Sequence, residues 1–114
     1  MTTYSIAHSY TLRPGPRYRE EGLKSGEDFR ITVLASLIRE AISKGEPITI
    51  DLDGVRGYGP SFLEESFGGL IREEHIDYED IKSILHIKSD EDPRYKERIE
   101  RRYLPEAHEN SLVA

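Results

Sequence analysis

Two aspartates stand two residues apart at the point where a short apolar segment meets a glycine-rich one. Asp51 and Asp53 lie in the sequence ITIDLDGV at residues 48–55. Apolar and polar side chains alternate there with the period of a strand, and a spacing of two puts both carboxylates on one face of it. Open α/β sheets bind ligands at the carboxyl ends of their strands. The sequence therefore places a pair of carboxylates where catalysis by two acidic groups is geometrically feasible.

The D-x-D-G-V pattern of this segment is similar to the nucleophile motif of phosphatases of the haloacid-dehalogenase type. That resemblance implies that Asp51 attacks phosphorus, that Asp53 acts as acid and base, and that Mg²⁺ bridges both carboxylates to the phosphate. Such phosphatases also need a threonine or serine, a lysine and a second acidic pair on later strands. The candidates for these roles all fall in one short segment, residues 88–92 (KSDED). We therefore hold a magnesium-dependent phosphatase as the alternative hypothesis of the enzyme class.

A glycine-rich turn follows the aspartates and ends at a serine. Glycines at 54, 57 and 59 break the strand pattern, and the chain must turn before a new element begins. The hydroxyl of Ser61 can accept a bond from a backbone amide two or three residues on, while Glu64 can reach back, so we predict Ser61 as the N-cap of a helix. The same turn could cradle a phosphate at the helix start. A nucleotide-binding module is a further alternative, although the glycine spacing is not a dinucleotide fingerprint.

Other common site chemistries find little support in the sequence. The chain has no cysteine, which excludes disulfides, thiolate zinc sites and cysteine nucleophiles. Its four histidines are scattered and predict no metal site. Ser61 lacks the G-x-S-x-G elbow of serine hydrolases because Pro60 and Phe62 flank it. We expect no catalytic residue, no metal and no cofactor.

Length and charge limit the remaining classes of function. The 114 residues suit one domain, which we predict over residues 1–105, with residues 106–114 as a flexible C-terminal tail. The net charge of -6 opposes non-specific binding to nucleic acid, which needs a positive surface. No apolar run approaches the length of a membrane span and the N-terminal residues lack a secretory signal. We therefore expect a cytoplasmic protein that binds neither membrane nor nucleic acid.

Hydrophobic periodicity divides the first half of the chain into a strand, a basic segment and a helix. A first strand is predicted over residues 4–12, where alternate side chains are large and apolar or aromatic. The basic segment over residues 13–24 is predicted as a loop or a short second strand, and as either a solvated or an anion-binding loop. An amphipathic helix then begins at Ser25 and ends before Gly45, which supplies the left-handed residue that commonly follows a helix.

The second half continues the alternation of helices and strands. Its predicted elements are a helix over residues 61–72, a short turn capped by Asp77, a strand over residues 84–88 and a helix from Asp92 to Pro105. Gly68 and Gly69 interrupt the first of these helices, and each costs about 1 kcal/mol relative to alanine. Close approach of this helix backbone to the sheet or to a partner would account for both glycines.

The order of these elements predicts the fold class α/β. Strand, helix and strand alternate, which favours right-handed crossovers and helices packed against a sheet. We predict a small mixed, partly parallel sheet of about four strands. Its fourth strand would lie near Arg17 and pair antiparallel with the first.

Four segments together resemble the STAS-like domain family, whose members are relatives of the anti-sigma-factor antagonists. They are PGPRY at 14–18, SGEDFR at 25–30, DLDG at 51–54 and GYGPSFLEESFGGLIR at 57–72. The last of them is the most specific, the predicted order of elements agrees, and the resemblance covers most of the chain.

This resemblance implies a small, non-enzymatic regulatory module that docks on a protein partner, often an ATPase of the histidine-kinase type. In STAS domains a serine or threonine after a strand and loop caps the next helix and can be phosphorylated by a partner kinase, and Ser61 is the matching residue. The implied contact surface is the glycine turn with the following helix, and its residues are Asp53, Gly57, Tyr58, Gly59, Ser61, Phe62 and Glu65.

Capping and phosphorylation are alternative roles for Ser61. A phosphate there would gain from the helix dipole and the free amides, but Glu64 and Glu65 already place two negative charges in the first turn. Arg56 is the only cation close by in sequence. The sequence leaves both roles open and favours the cap.

Overall fold

Three parallel strands and the helices between them make up the part of the chain that the computed structural model describes, residues 2–112. Strands β1 (Thr2–Ser5), β2 (Ile48–Asp51) and β3 (Leu85–Lys88) are hydrogen-bonded in the order β1–β2–β3, and both pairs are parallel. The predicted α/β class is therefore confirmed.

Two short and three long helices connect and follow the strands. Helix α1 is Ile6–Ser9 and α4 is Tyr78–Ile84. Each long helix is continuous and contains one π-helical turn: α2 spans residues 26–44 with the turn at Arg30–Leu34, α3 spans 60–72 with the turn at Glu64–Gly68, and α5 spans 93–112 with the turn at Ile99–Tyr103.

The predicted mixed sheet of about four strands is wrong, since the described residues form three strands that are all parallel. The segment near Arg17, predicted as an extra strand, instead bonds to the beginning of α2. The carbonyls of Pro16 and Arg17 accept the amides of Gly26 and Glu27, each at 2.9 Å. These are amides that a helix start leaves without intrahelical partners. The segment is therefore used to cap α2, and a 3₁₀ turn at Arg19–Glu21 follows it.

The first strand is also shorter than predicted. It ends at Ser5, whose hydroxyl accepts the amide of His8 at 3.2 Å and caps helix α1. Ile6 then turns into the core and is fully buried. Because the neighbouring strand β2 has only four residues, a longer β1 would find no backbone partner there.

Most predicted helix boundaries are confirmed. Ser25 Oγ accepts the amide three residues on at 2.9 Å, and Gly45 adopts the left-handed conformation with φ of 65°. Asp77 caps α4, and Asp92 caps α5 with Pro93 in its first turn.

Helix α5 does not end at Pro105 but continues to Leu112. In a regular α-helix proline loses one hydrogen bond and its ring clashes with the carbonyl four residues earlier. Here the π-helical turn directly precedes it, and the amide of Leu104 bonds to the carbonyl of Ile99, five residues back. The predicted flexible tail is thus helical over residues 106–112, with Ala107 buried. Residues 113 and 114 lie outside the described residues.

The sheet has one buried face. Ile48, Ile50 and Ile87 are buried, whereas Thr3 and His86 are exposed. The buried face joins a single hydrophobic core with side chains of the four helices α2 to α5, among them Phe29, Phe62, Phe67, Ile81 and Ile99. Within residues 2–112 no helix has the length and apolar character needed to cross a bilayer.

Candidate functional site

Asp53 joins the loop after β2 to the segment after β3. Its carboxylate accepts bonds from Lys88 Nζ at 2.8 Å, from the amide of Asp90 at 3.2 Å and from the amide of Glu91 at 3.0 Å. Burial opposes ionisation of this group, but the Lys88 ammonium and the two amides prevail and lower the pKa of Asp53. The carboxylate therefore stays ionised and holds two loops together.

Asp51 lies beside this contact and is partly buried. One of its carboxylate oxygens accepts the amide of Asp53 at 2.9 Å and lies 3.9 Å from Lys88 Nζ. In the phosphatase hypothesis Asp53 must carry and release a proton, a role that a lowered pKa does not suit. In the described part of the chain, no group of three or more His, Asp or Glu side chains is arranged to hold a metal ion.

The glycine turn, residues 54–59, is attached to the first residues of α5. Gly54 has φ of 93°, a conformation that favours glycine, and its amide donates to Glu91 Oε1 at 2.9 Å. The amide of Tyr58 donates to the hydroxyl of Tyr95 at 3.2 Å. A polar cleft of about 220 Å³ lies between the turn and the segment after β3.

Tyr58 belongs to the core rather than to the exposed surface. Its side chain is 7% exposed, and its hydroxyl donates to the carbonyl of Leu52 at 2.8 Å. Its ring packs against Phe62 and, edge-on, against Tyr95 at a centroid distance of 5.2 Å. Burial raises the pKa of the Tyr58 phenol, which is uncharged at neutral pH. Tyr58 therefore fixes the shape of the turn.

Ser61 is not the N-cap of α3, contrary to the prediction. Gly59 is the N-cap, and Pro60 occupies the first helical position. Proline is well suited to that position because its fixed φ is helical and its missing N–H has no intrahelical partner there. Ser61 thus lies in the first turn of the helix and is exposed. Its hydroxyl forms no hydrogen bond with the described residues.

The face of α3 beyond Ser61 is enclosed by the protein itself. Phe62 is fully buried, and Glu65 is 3% exposed. Arg30 of α2 donates from Nη1 to the Glu65 carboxylate and, at 3.0 Å, to the Glu65 carbonyl, while its Nε donates to Glu74 at 3.0 Å. Arg30 is itself 3% exposed. The two helices are therefore joined by a buried ion pair.

Two further arginines complete this charged cluster. Arg17, from the basic segment, donates to both Glu64 and Glu65. Arg72 donates to Glu64 at 2.8 Å and to Glu65 at 3.3 Å. Burial favours the neutral form of Glu64, but hydrogen bonds from Arg72 and Arg17 outweigh it and lower the pKa of that carboxyl. The negative charges near Ser61 are therefore neutralised within the fold.

In a comparison with protein families, residues 25–94 match the model described as STAS-like domain of unknown function (DUF4325). The chain belongs to this family. The matched residues include α2, β2, the glycine turn and α3 of the STAS-like domain, and they end at the start of α5. Searches of the curated proteins and of the solved structures gave no match.

In the STAS-like domain, the site residues predicted from the sequence fall into two groups that differ in their exposure to solvent. Gly59 and Ser61 are exposed, and Gly57 and Asp53 are partly buried, all near the carboxyl end of β2. Tyr58, Phe62 and Glu65 are buried. Only the first group can meet a partner without rearrangement of the core.

The sequence did not reveal Arg17, Arg30 and Arg72 as the partners of the two glutamates. Arg17 and Arg30 come from segments far from the glutamates in sequence, and Arg72 lies on α3 but seven and eight residues after them, beyond the i,i+4 spacing of local helix pairs. One signal was present in the paired glycines of α3. A Cβ at Gly69 would lie 2.5 Å from Arg30 Nη1, so this glycine makes room for the buried guanidinium. The neighbour at Gly69 is therefore a side chain of α2, and not the sheet or a partner as predicted.

Proposed function

We propose that this STAS-like domain is a non-enzymatic regulatory module that binds a protein partner at an exposed turn surface, consisting of Gly54, Arg56, Gly59, Pro60 and Ser61. All five residues are exposed. The family resemblance supports an ATPase of the histidine-kinase type as the class of partner. The observation that carries the proposal is the exposure of Ser61 at the start of a helix whose residues 62–63 and 65–71 are buried.

The rigidity of the turn supports recognition by contact. The amide of Gly54 bonds to Glu91, and Tyr58 bonds through its amide to Tyr95 and through its hydroxyl to the carbonyl of Leu52. A surface that is already ordered loses little conformational freedom when it binds. The turn can therefore present the same shape to each partner it meets.

Phosphorylation of Ser61 would regulate this contact. The hydroxyl is exposed in the first helical turn, where free amides and the helix dipole favour a phosphate. The like charges that argue against it in the sequence are paired with Arg17 and Arg72 in the fold. The added charge and bulk would then change the surface that the partner meets.

The test is binding of purified domain to candidate histidine-kinase-type ATPases from the same genome, measured by biolayer interferometry. We expect Ser61→Asp and Arg56→Glu each to weaken binding by about tenfold or more, as for residues at the centre of an interface. Ser36→Asp is the matched control, since Ser36 is exposed on α2. A partner that binds all three variants equally would place the contact elsewhere, and no binding by any candidate ATPase would refute the proposed class of partner.

Incubation of the same ATPases with the domain and ATP tests the modification separately. We expect mass spectrometry to locate phosphate on Ser61 and to find none in Ser61→Ala. An ATPase that binds the domain and leaves Ser61 unmodified would refute phosphorylation while leaving the docking proposal intact.

A further inference from the structure

Two exposed leucines lie at the two ends of the basic segment, Leu12 just before it and Leu23 within its last two residues. Leu23 is 89% exposed and Leu12 is 61% exposed. Each is followed directly by a cation, Arg13 or Lys24. Large apolar side chains with this exposure carry a hydration cost that a partner would relieve.

The fold brings these two leucine–cation pairs to the same end of one closed loop. The amide of Gly15 donates to the carbonyl of Lys24 at 2.8 Å. A Cβ at Gly15 would lie 2.2 Å from the carbonyl oxygen of Leu23, so the two backbone segments touch and only glycine fits. We call Leu12, Arg13, Leu23 and Lys24 the leucine–cation surface.

The loop that carries this surface is held firmly. Two backbone bonds tie Pro16 and Arg17 to the start of α2. Arg17 reaches the glutamates of α3, and Arg19 Nε donates to Asp28 at 3.1 Å. The leucines are therefore displayed by an ordered segment, which lowers the entropic cost of binding through them.

The two cations of the surface are available for an external partner. Arg17 and Arg19 already form ion pairs with carboxylates of the same chain. Arg13 and Lys24 have no ion pair within residues 2–112, and the Lys24 ammonium lies 4.7 Å from the centroid of the Tyr10 ring. Positive charge is thus left unpaired beside the leucines in a chain whose net charge is -6.

We propose that the leucine–cation surface binds a protein segment that carries both acidic and large apolar side chains. The apolar side chains of that segment would cover Leu12 and Leu23, and its carboxylates would pair with Arg13 and Lys24. This contact is independent of the one at the turn surface.

Charge distinguishes this partner from two other occupants. A symmetric contact with a second copy would bring the same cations face to face, which is repulsive. Attraction to an anionic bilayer amounts to about 1 kcal/mol per basic residue near the membrane. Two cations would have to overcome a net charge of -6 on the whole chain. A bilayer is an extended surface that also faces the negative charges elsewhere on the chain, whereas a short acidic and apolar segment contacts only the leucine–cation surface, and salt screens charges that lie beyond about 10 Å.

The experiment uses a phage-displayed library of random dodecapeptides selected on the full chain. We expect the enriched peptides to combine Asp or Glu with large apolar residues. By fluorescence polarisation, Leu23→Ser and Arg13→Glu should each raise the Kd of these peptides by about tenfold. Leu112→Ser and Arg101→Glu are matched controls, since Leu112 is 70% exposed and Arg101 is exposed, and both should leave the Kd within about twofold.

Several outcomes would overturn the proposal. Library selection that enriches no acidic and apolar peptides would do so, as would equal binding of the enriched peptides to Leu23→Ser and to the parent chain. Co-sedimentation with phosphatidylserine vesicles that Leu23→Ser abolishes would assign the surface to a membrane. A dimer in sedimentation velocity that the same variant dissociates would assign it to a second copy. Thermal melts of each variant, expected to match the parent chain, establish that the fold is intact.

Discussion

Arg30 and Glu65 form an ion pair that is almost completely enclosed between α2 and α3, with each side chain 4% exposed. Arg30 also bonds to the Glu65 carbonyl and to Glu74, so the buried guanidinium is well supplied with acceptors. Such a pair adds little net stability compared with apolar packing, but the loss of one partner leaves a buried charge without compensation. The pair therefore fixes the packing of α2 against α3. Because Ser61 lies on α3, the pair also fixes the position of Ser61.

Removing one partner of this pair should be strongly destabilising. We expect Arg30→Met to lower the free energy of unfolding by about 3 kcal/mol, the lower end of the range for a broken buried pair, since Glu65 would stay buried and keep only its bonds to Arg17 and Arg72. The double variant Arg30→Met/Glu65→Leu should recover part of the loss. Urea denaturation of both variants measures these changes.

Arg39→Met is the matched control for this prediction. Arg39 also bonds to Glu74, but its side chain is 53% exposed. Its loss should cost at most about 1 kcal/mol. A similar loss for Arg39→Met and Arg30→Met would contradict the idea that burial of the pair decides its effect.

Gly26 tests the close approach of the same two helices. A Cβ at this position would lie 2.5 Å from the carbonyl oxygen of Phe62, a backbone atom that cannot move alone. We expect Gly26→Ala to lower the melting temperature by several degrees, in line with a cost of about 1–3 kcal/mol for overpacking.

Gly59→Ala is the comparison for Gly26→Ala, because a Cβ built at Gly59 has no described heavy atom within 4 Å beyond those of Gly59 itself and its two chain neighbours. Its melting temperature should change by much less, since only the capping preference is altered. Equal shifts for the two variants would show that steric contact is not the cause.

Local signals in the sequence were sufficient for most of the fold. Ser25, Gly45 and Asp92 act within a few residues of themselves, so their roles as helix boundaries could be predicted from spacing alone. The sequence predicts Ser61 as a cap because Ser61 and Glu64 have the spacing of a capping box. In the structure, the fit of Pro60 at the first helical position decides where the helix begins. The sequence predicts a helix end at Pro105 because the π-helical turn that precedes the proline has no local sequence signature.

The charged cluster could not be predicted for a different reason. The sequence predicts a solvated or an anion-binding loop around Arg17, and it predicts Glu65 in the first turn of a helix as part of a partner-contact surface. Their contact depends on the packing of α2 against α3, and only the tertiary structure contains that information. The same holds for Asp53, whose amide partners come from the segment after β3.

Stability should fall at acid pH because several carboxyls have lowered pKa values, among them the partly buried Asp53 and Glu64. Ionised Asp53 and Glu64 stabilise the fold above the pKa values of the unfolded chain, which are about 4. As the pH falls through the lower pKa values of the folded state, protons bind and this stabilisation is lost. We expect the drop in melting temperature between about pH 6 and pH 3 to be smaller in Asp53→Asn than in the parent chain.

The control for the acid effect is Glu97→Gln, since Glu97 is exposed and forms no ion pair within residues 2–112. Between about pH 6 and pH 3, the melting temperature of this variant should fall by as much as that of the parent chain. If Asp53→Asn shows the full drop as well, the Lys88 contact does not contribute to acid sensitivity.

The contact between the Tyr95 hydroxyl and the amide of Tyr58 should determine how well the glycine turn is ordered. Tyr95→Phe removes the acceptor and keeps the ring that packs against Tyr58. We therefore expect hydrogen exchange at the Tyr58 amide to accelerate by about tenfold, while the melting temperature changes little. Tyr18→Phe is the matched control, because Tyr18 is 41% exposed and its hydroxyl forms no bond within residues 2–112. Unchanged exchange at Tyr58 in Tyr95→Phe would mean that the turn is ordered by the Asp53 and Glu91 contacts alone.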